Sequence, residues 1–404
     1  MDAAQTALPI PAEPRRLRLR TAGLFAGIGG IELGLSRVGH ATVLLCENFE
    51  PAQRVLAERF PESPLVDDVR DIERLPEVDL VAAGFPCQDL SQAGRTAGIT
   101  GERSGLVGEV FRLLDSAPKD PDWLLLENVP FMLQLERGEA MRFLTSELSR
   151  RGFSWAYRIV DTRAFGLPQR RQRVLVLASR TKDPRPVLLT EDHGVVNTEG
   201  TPGEVACGFY WTEGVRGLGW AIDAIPTLKG GSTVGIPSPP AIWMPDGRIV
   251  LPDIRDAERL QGFPSGWTAS SVDDPSRRNG PRWKLVGNAV SVPVAEWLGR
   301  RLVAPTTVYD ETADAPLEGG HRWPSAAWGG PDTRVHGSPV STWPRHVPAT
   351  SLADFLEYPT TPLSERATAG FLRRTQQGRL RFAEGFIAAL RRHHESLTAQ
   401  LETV

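Results

Sequence analysis

The 404-residue chain predicts an open α/β sheet fold, and three observations carry that prediction. Short apolar runs at 20–25, 41–46, 78–83, 122–126 and 174–178 read as buried strands. The first is followed by a glycine turn, Gly27-Ile28-Gly29-Gly30, and then by helical spacing from Ile31 to Val38. Finally, Gly27, Glu47, Cys87 and Glu127 each fall just past a strand. The carboxyl ends of strands are where open α/β sheets bind their ligands.

Composition bounds the function classes. A hydrophobic share of 41% and a charged share of 24% are ordinary for a soluble globular protein, and the length suffices for two or three domains. The net charge of -3 carries no global signature of nucleic-acid binding, so any basic surface must be local. Cys46, Cys87 and Cys207 lack CxxC spacing, which suits a reducing cytoplasm and argues against the common cysteine-based zinc sites. No metal is expected. No apolar run approaches the roughly 18 residues of a membrane span. Residues 1–18 read as a flexible, Pro/Ala-rich start without a signal-peptide core.

The elements follow in order. The glycine turn lets a ligand approach the backbone closely, but it is not a full G-x-G-x-x-G, which tilts away from a dinucleotide. Glu47 stands 20 positions after Gly27, a distance at which an acid commonly binds ribose hydroxyls. In Asp67-Asp68-Val69-Arg70-Asp71 an acid can accept from an adenine amino group. Next comes Gly84-Phe85-Pro86-Cys87-Gln88. A lone cysteine is more often a buried structural one. Here Pro86 fixes the backbone just before the sulfur and a polar loop follows, so the thiol reads as presented for chemistry. Arg95 and Arg103 lie among Gly94, Gly98, Gly101 and Gly105, in either a basic lid or a solvated loop. Glu127-Asn128-Val129 ends one strand, and Gln169-Arg170-Arg171-Gln172-Arg173 precedes another. Singly, each reads as solvated. Together, the glycine turn, two acids and a thiol should share one rim of the sheet.

The ordered set resembles the DNA cytosine-5 methyltransferases, especially the bacterial modification enzymes. It comprises Phe25-Ala26-Gly27-Ile28-Gly29-Gly30, Gly84-Phe85-Pro86-Cys87-Gln88, Glu127-Asn128-Val129, Gln169-x-Arg171-x-Arg173, Arg259-Leu260-Gln261-Gly262-Phe263-Pro264 and Gly287-Asn288-Ala289-Val290. The resemblance spans residues 19–303 and implies a Rossmann-like, mostly parallel sheet binding S-adenosylmethionine. It implies a catalytic domain at 19–180, an inserted target-recognition domain at 181–250, a return to the catalytic domain at 251–303, and an extension at 304–404.

Cytosine C5 is a poor nucleophile and needs activation. The resemblance implies that Cys87 adds to C6, that Glu127 contacts N3 and the exocyclic amino group, that Arg173 holds O2, and that Arg171 positions the cysteine region. The base must be flipped out of the duplex. For the cofactor it implies Phe25, Gly27 and Gly29 in the pocket, Glu47 on the ribose, Asp68 with Val69 at the adenine, and Pro86, Leu106, Asn288 and Ala289 closing it. Asn48 departs from the bulky residue many relatives stack on adenine. Ser91, Arg95 and Arg103 are the expected DNA contacts of the catalytic loop.

Residues 181–250 read as short strands and loops, and their eight acids against five Lys/Arg are unusual for a DNA-facing module. The best recognition-loop candidate is Thr227-Leu228-Lys229-Gly230-Gly231-Ser232-Thr233; its competitor is a glycine hairpin without base contact. For residues 304–404 we expect the tryptophans to pack against the catalytic domain and the arginines of a helical end to grip DNA backbone. His393-His394 reads as solvated. The resemblance further implies double-stranded DNA as partner, no membrane, a monomer on DNA, a cytoplasmic, nucleoid-associated location, and a restriction-modification or phage-defence setting with its own partner proteins. An RNA-directed branch of the family and a non-catalytic DNA-binding protein are the alternatives. A bacterial-type Gly-Phe-Pro-Cys-Gln argues against the first, and a complete catalytic set argues against the second.

Overall fold

The computed structural model describes residues 18–85, 105–196, 200–231, 239–273, 280–305, 308–318 and 322–402. Pro86, Cys87, Ser91, Arg95, Arg103, Ser232, Thr233 and nearly all of the N-terminal 18 residues lie outside them. In chain order the strands begin with β1 Arg20–Leu24, β2 Ala41–Cys46, β3 Leu65–Val66, β4 Leu80–Ala83 and β5 Trp123–Asn128. After these come β6 Ser154–Asp161, β7 Gln169–Arg170 and β8 Gln172–Ser179. The middle of the chain supplies β9 Cys207–Phe209, β10 Trp220–Ile222, β11 Ile225–Pro226, β12 Ala241–Trp243 and β13 Ile249–Leu251. The last four are β14 Ala315–Pro316, β15 Ala326–Gly330, β16 Thr333–Gly337 and β17 Thr361–Pro362.

Ten strands form one sheet in the order β14-β16-β15-β6-β8-β5-β4-β1-β2-β3. The half from β5 to β3 is parallel, and beyond β5 every pairing is antiparallel. Alternation along β4 shows why the strand reads as an unbroken apolar run. Val81 and Ala83 join one hydrophobic cluster, while Leu80 and Ala82 join the cluster on the opposite face. The first face is covered by Val110 and Phe111 of the helix Leu106–Asp115 and by Met141 and Leu144 of the helix Glu139–Arg150. On the second, Ile31 and Leu35 of the helix Gly30–Ser36 pack with Val294 and Leu298 of the helix Val292–Val303. The late helix thus completes the layer that the first one starts.

Because β8 runs against β5, its early residues lie beside the end of β5, with Leu175 opposite Glu127 and Val174 opposite Asn128. This reversal brings Arg171 and Arg173 to the rim where the parallel strands end.

A second, antiparallel sheet has the order β10-β9-β12-β13-β17. Its strands of two or three residues cannot bury a face alone and need a covering layer. That layer comes from the far end of the chain: Phe371 of the helix Glu365–Gln377 and Phe386 of the helix Phe386–Glu402 pack on Phe209 and Trp243. The Phe209 and Trp220 rings each stand 4.9 Å from Phe386.

The extension is therefore divided between the two sheets. Its first part joins the main sheet, where β15 pairs with β6 and Trp323 stands edge-on to Tyr157 at 6.0 Å. Trp328 and Trp343 are also buried there. Its helical end builds the small sheet's core instead. Arg373, Arg379, Arg381, Arg391 and Arg392 remain exposed on it, while His393 meets the Leu363 carbonyl at 2.8 Å and His394 meets Glu365. Among the described residues, no helix is long and apolar enough to cross a membrane.

Candidate active site and cofactor pocket

A cavity of about 400 Å³ opens beyond the parallel strand ends, lined in part by Phe25, Gly27, Glu47, Leu106 and Asn288. Gly27 holds a left-handed φ of 57°, which accounts for the glycine, and no protein atom lies within 4 Å of where a Cβ would stand, so the space beside it is open. Glu47 ties the turn to the end of β2. Its Oε2 accepts from the Gly27 N–H at 2.8 Å and its Oε1 from the Phe49 N–H at 2.9 Å. Each carboxylate oxygen keeps acceptor capacity for a further donor, such as a ribose hydroxyl.

Four expected contacts are placed differently from the cavity-lining five. Gly29 is the left-handed cap of the helix Gly30–Ser36, and a Cβ there would lie 2.4 Å from the Phe60 ring, so packing explains it. Val69 is buried in the core. The Asp68 carboxylate turns to Arg70, whose hydrogen bonds hold it down at about 2. Ala289 is buried, and its carbonyl is taken by Arg171. Residues missed in the sequence also line the cavity, among them Phe49 and Lys284, with the ammonium 4.1 Å above the ring. An aromatic directly after Asn48 was the available signal. A nucleoside-sized space with a carboxylate and an aromatic wall fits S-adenosylmethionine.

Next to this cavity lies the acid-base side of the rim. Glu127, on β5, is buried and pairs with the Arg173 Nε at 2.9 Å. Burial pushes the Glu127 carboxyl above its ordinary range, and the charges of Arg173 and Arg171 offset only part of that. Burial likewise lowers both guanidinium groups, Arg171 far more strongly. Arg171 is fully buried and donates to the carbonyls of Leu228 (3.0 Å), Gly287 (3.2 Å) and Ala289 (2.5 Å). Among the described residues it therefore ties two distant segments, at 228 and at 287–289, to its own. Asn128, passed over in the sequence, donates to the Phe85 carbonyl at 3.0 Å and so fixes the backbone two residues ahead of Cys87.

A cleft of about 510 Å³ continues from Arg173 past Arg170, Gln172 and Thr227 to Phe131, which is 60% exposed. Thr227 donates its hydroxyl to the Arg170 carbonyl at 2.7 Å. Leu228 is buried, its N–H bound to Gln169 Oε1 at 3.1 Å. The Thr-Leu pair thus anchors the loop, and Lys229 is its first side chain beyond the anchor. That lysine is paired with Glu213.

On the helix Gly30–Ser36, Glu32 is buried with Oε2 unpartnered among the described residues. Burial, with the charge of Glu47, pushes its carboxyl from 4.5 up to about 7. Between those values the folded state binds more protons than the unfolded, so stability falls as pH rises through this window and then levels. The full effect corresponds to ~3 kcal/mol. Glu32→Gln should flatten that slope and raise the melting temperature at pH 8 but hardly at pH 4.5; parallel melting curves for the two proteins at every pH would refute it.

A parallel half-sheet with a nucleoside cavity at its strand ends, beside a buried acid-arginine pair, defines a class, and comparison agrees: residues 19–199 match the family described as C-5 cytosine-specific DNA methylase. The chain is 48% identical over 384 residues to the Type II methyltransferase M2.BsuMI of Bacillus subtilis (strain 168), covering 93% of this chain and 98% of that one. It is 29% identical to the Type II methyltransferase M.NgoBI of Neisseria gonorrhoeae, with 69% and 90% covered. The fold is shared with S. pombe Dnmt2 (TM-score 0.50, 18% identity, 71% of this chain and 98% of that). It is also shared with the Entamoeba histolytica methyltransferase EhMeth (TM-score 0.51, 17% identity, 71% and 98%). The chain belongs to the C-5 cytosine-specific DNA methylase family. It is a DNA cytosine methyltransferase of the bacterial modification type, with the α/β fold of S-adenosylmethionine-dependent enzymes.

Proposed function

We propose that this enzyme flips a cytosine from a short duplex sequence, activates it through Cys87 and methylates it at C5. The observation that carries the reading is the buried Glu127–Arg173 pair on the rim, with Asn128 of the same strand end gripping the chain that leads into Pro86-Cys87. Cys87, as thiolate, forms the C6–S bond, and the ring electrons move toward N3. Glu127, its carboxyl raised by burial, is suited to hold the proton needed there, while Arg173 steadies O2. C5 becomes an enamine carbon that can take a methyl group, a base or water then removes the C5 proton, and the thiolate leaves. S-adenosylmethionine supplies the electrophilic methyl when bound; Phe25, Gly27, Glu47, Phe49, Leu106 and Asn288 are the residues that would hold it. Arg171 acts by holding the Gly287 and Ala289 carbonyls in place.

Ser91, Arg95 and Arg103 are assigned to DNA from the sequence alone, and so are Ser232 and Thr233. The Type II methyltransferase names of the relatives support a restriction-modification setting. From the reducing-type cysteine usage we assign the enzyme to the cytoplasm, acting as a monomer on nucleoid DNA. Tritium transfer from labelled S-adenosylmethionine tests the substrate: duplex DNA should be labelled and transfer RNA should not. Bisulfite sequencing of an expressing host then gives the site. Lys229→Ala with Ser232→Ala should relax or weaken site choice, since a good base contact carries ~1–3 kcal/mol of discrimination. An unchanged genome-wide site list at undiminished efficiency would move readout elsewhere, for instance to the loop around Gln92 and Arg95.

A further inference from the structure

The recognition region is acidic, yet the described acids are largely engaged within the protein. Glu191 and Asp192 bind Arg301 and Arg158, and Asp246 pairs with Arg248. One such pair lies at the recognition loop itself. The backbone of Lys229 crosses Gly287 so closely that a Cβ there would come 2.2 Å from its carbonyl carbon. Its ammonium sits 4.2 Å above the buried Tyr210 ring, whose hydroxyl donates to the Thr227 carbonyl at 2.9 Å. Glu213 Oε1 pairs with that ammonium, while its Oε2 accepts from the Gly219 N–H at 2.6 Å.

The turn carrying Glu213 is held from the helix Glu365–Gln377. Arg374 donates to the Trp211 carbonyl at 2.6 Å and to the Glu213 carbonyl at 3.1 Å. We propose that Glu213 is a built-in counter-ion for Lys229, released only when an acceptor of duplex DNA replaces it, and that Arg374 is the residue positioning Glu213. The proposal rests on the reading that the Thr227–Gly231 loop faces DNA. It gives the C-terminal helices a role in specificity: a lysine already neutralised gains little from arbitrary phosphates, so weak nonspecific contacts are not rewarded. The lysine, still 43% exposed, is reachable by a groove or backbone acceptor that can compete with the carboxylate.

The test is the salt dependence of duplex binding together with methylation of duplexes one base pair from the cognate site. Each phosphate-competent cation adds about 0.9 to the slope of log affinity against log salt. Glu213→Gln should steepen the nonspecific slope by about one and raise near-cognate methylation several-fold. Both changes should vanish in a Lys229→Ala background. Arg374→Ala should shift both readouts in the same direction by less, with Arg374→Lys restoring part of the difference. Glu213→Gln keeps an oxygen for the Gly219 N–H; if its melting curve nonetheless shows unfolding, Glu213→Asp, which shortens the reach, should shift the same readouts. Effects that persist without Lys229, or no effect in a folded Glu213 variant, would overturn the proposal. Lys229→Ala changing neither slope nor site list would instead overturn the placement of the loop at DNA, and the counter-ion role with it.

Discussion

Cys87→Ala is expected to abolish methyl transfer while leaving the fold and the cofactor pocket intact. The loss should reach roughly 10⁴- to 10⁶-fold, the scale seen when covalent enzymes lose their nucleophile. The other two thiols cannot stand in. Cys46 and Cys207 are both buried free cysteines, and burial pushes their thiols up to about 12 and about 11. At neutral pH neither supplies appreciable thiolate, and it is the thiolate that attacks. The cavity wall near Cys46 is made by Glu47 and its backbone bonds, which the substitution does not touch. Binding of S-adenosylmethionine, followed by calorimetry, should therefore survive. A duplex with 5-fluorocytosine at the target should trap the wild type covalently, because fluorine blocks the final loss of the C5 proton, and should not trap the variant. Turnover that survives the loss of Cys87 would refute the nucleophile assignment.

How much of this was legible in the sequence depended on whether the signal was local. Gly27, Glu47 and Glu127 each sit at a strand end that an apolar run announces, and the structure brings them to one rim. Asn128 was in plain view inside Glu127-Asn128-Val129, but its bond to the Phe85 carbonyl spans 43 positions. Among the described residues Arg171 joins Leu228, Gly287 and Ala289, contacts that its place in an arginine-rich run does not announce. Nothing in an arginine-rich run shows which guanidinium will be buried; that follows from β8 running against β5. Phe49 lay one residue from a site we had marked as a departure. The acidity of residues 181–250 is opaque for the same reason: charge counts do not show which acids already hold a partner.

Removing Ser364–Val404 should cost the enzyme its small antiparallel sheet, a larger effect than the loss of the arginines' grip on DNA backbone. The arginines of that end suggested backbone contacts, which carry no sequence information. Phe371, Phe386 and Leu390, however, are fully buried against β9, β12 and β13. These partners lie far away in the chain, so no local periodicity could reveal them. Deleting one large aromatic from a core typically costs ~3–5 kcal/mol, and the truncation removes two together with the helices that carry them. The short strands would be left with an open apolar face, and Glu213 would lose Arg374. The main sheet has its own two cores and its own share of the extension in β14, β15 and β16, so it should keep its fold. We therefore expect the truncated chain to lose site-specific methylation altogether while amides of β1, β4 and β5 stay protected in hydrogen exchange and those of β9 and β12 do not. A milder version, Phe386→Ala, should open the small sheet first. Methylation of the same sites at wild-type efficiency by the truncated chain would show that the small sheet stands without its covering helices.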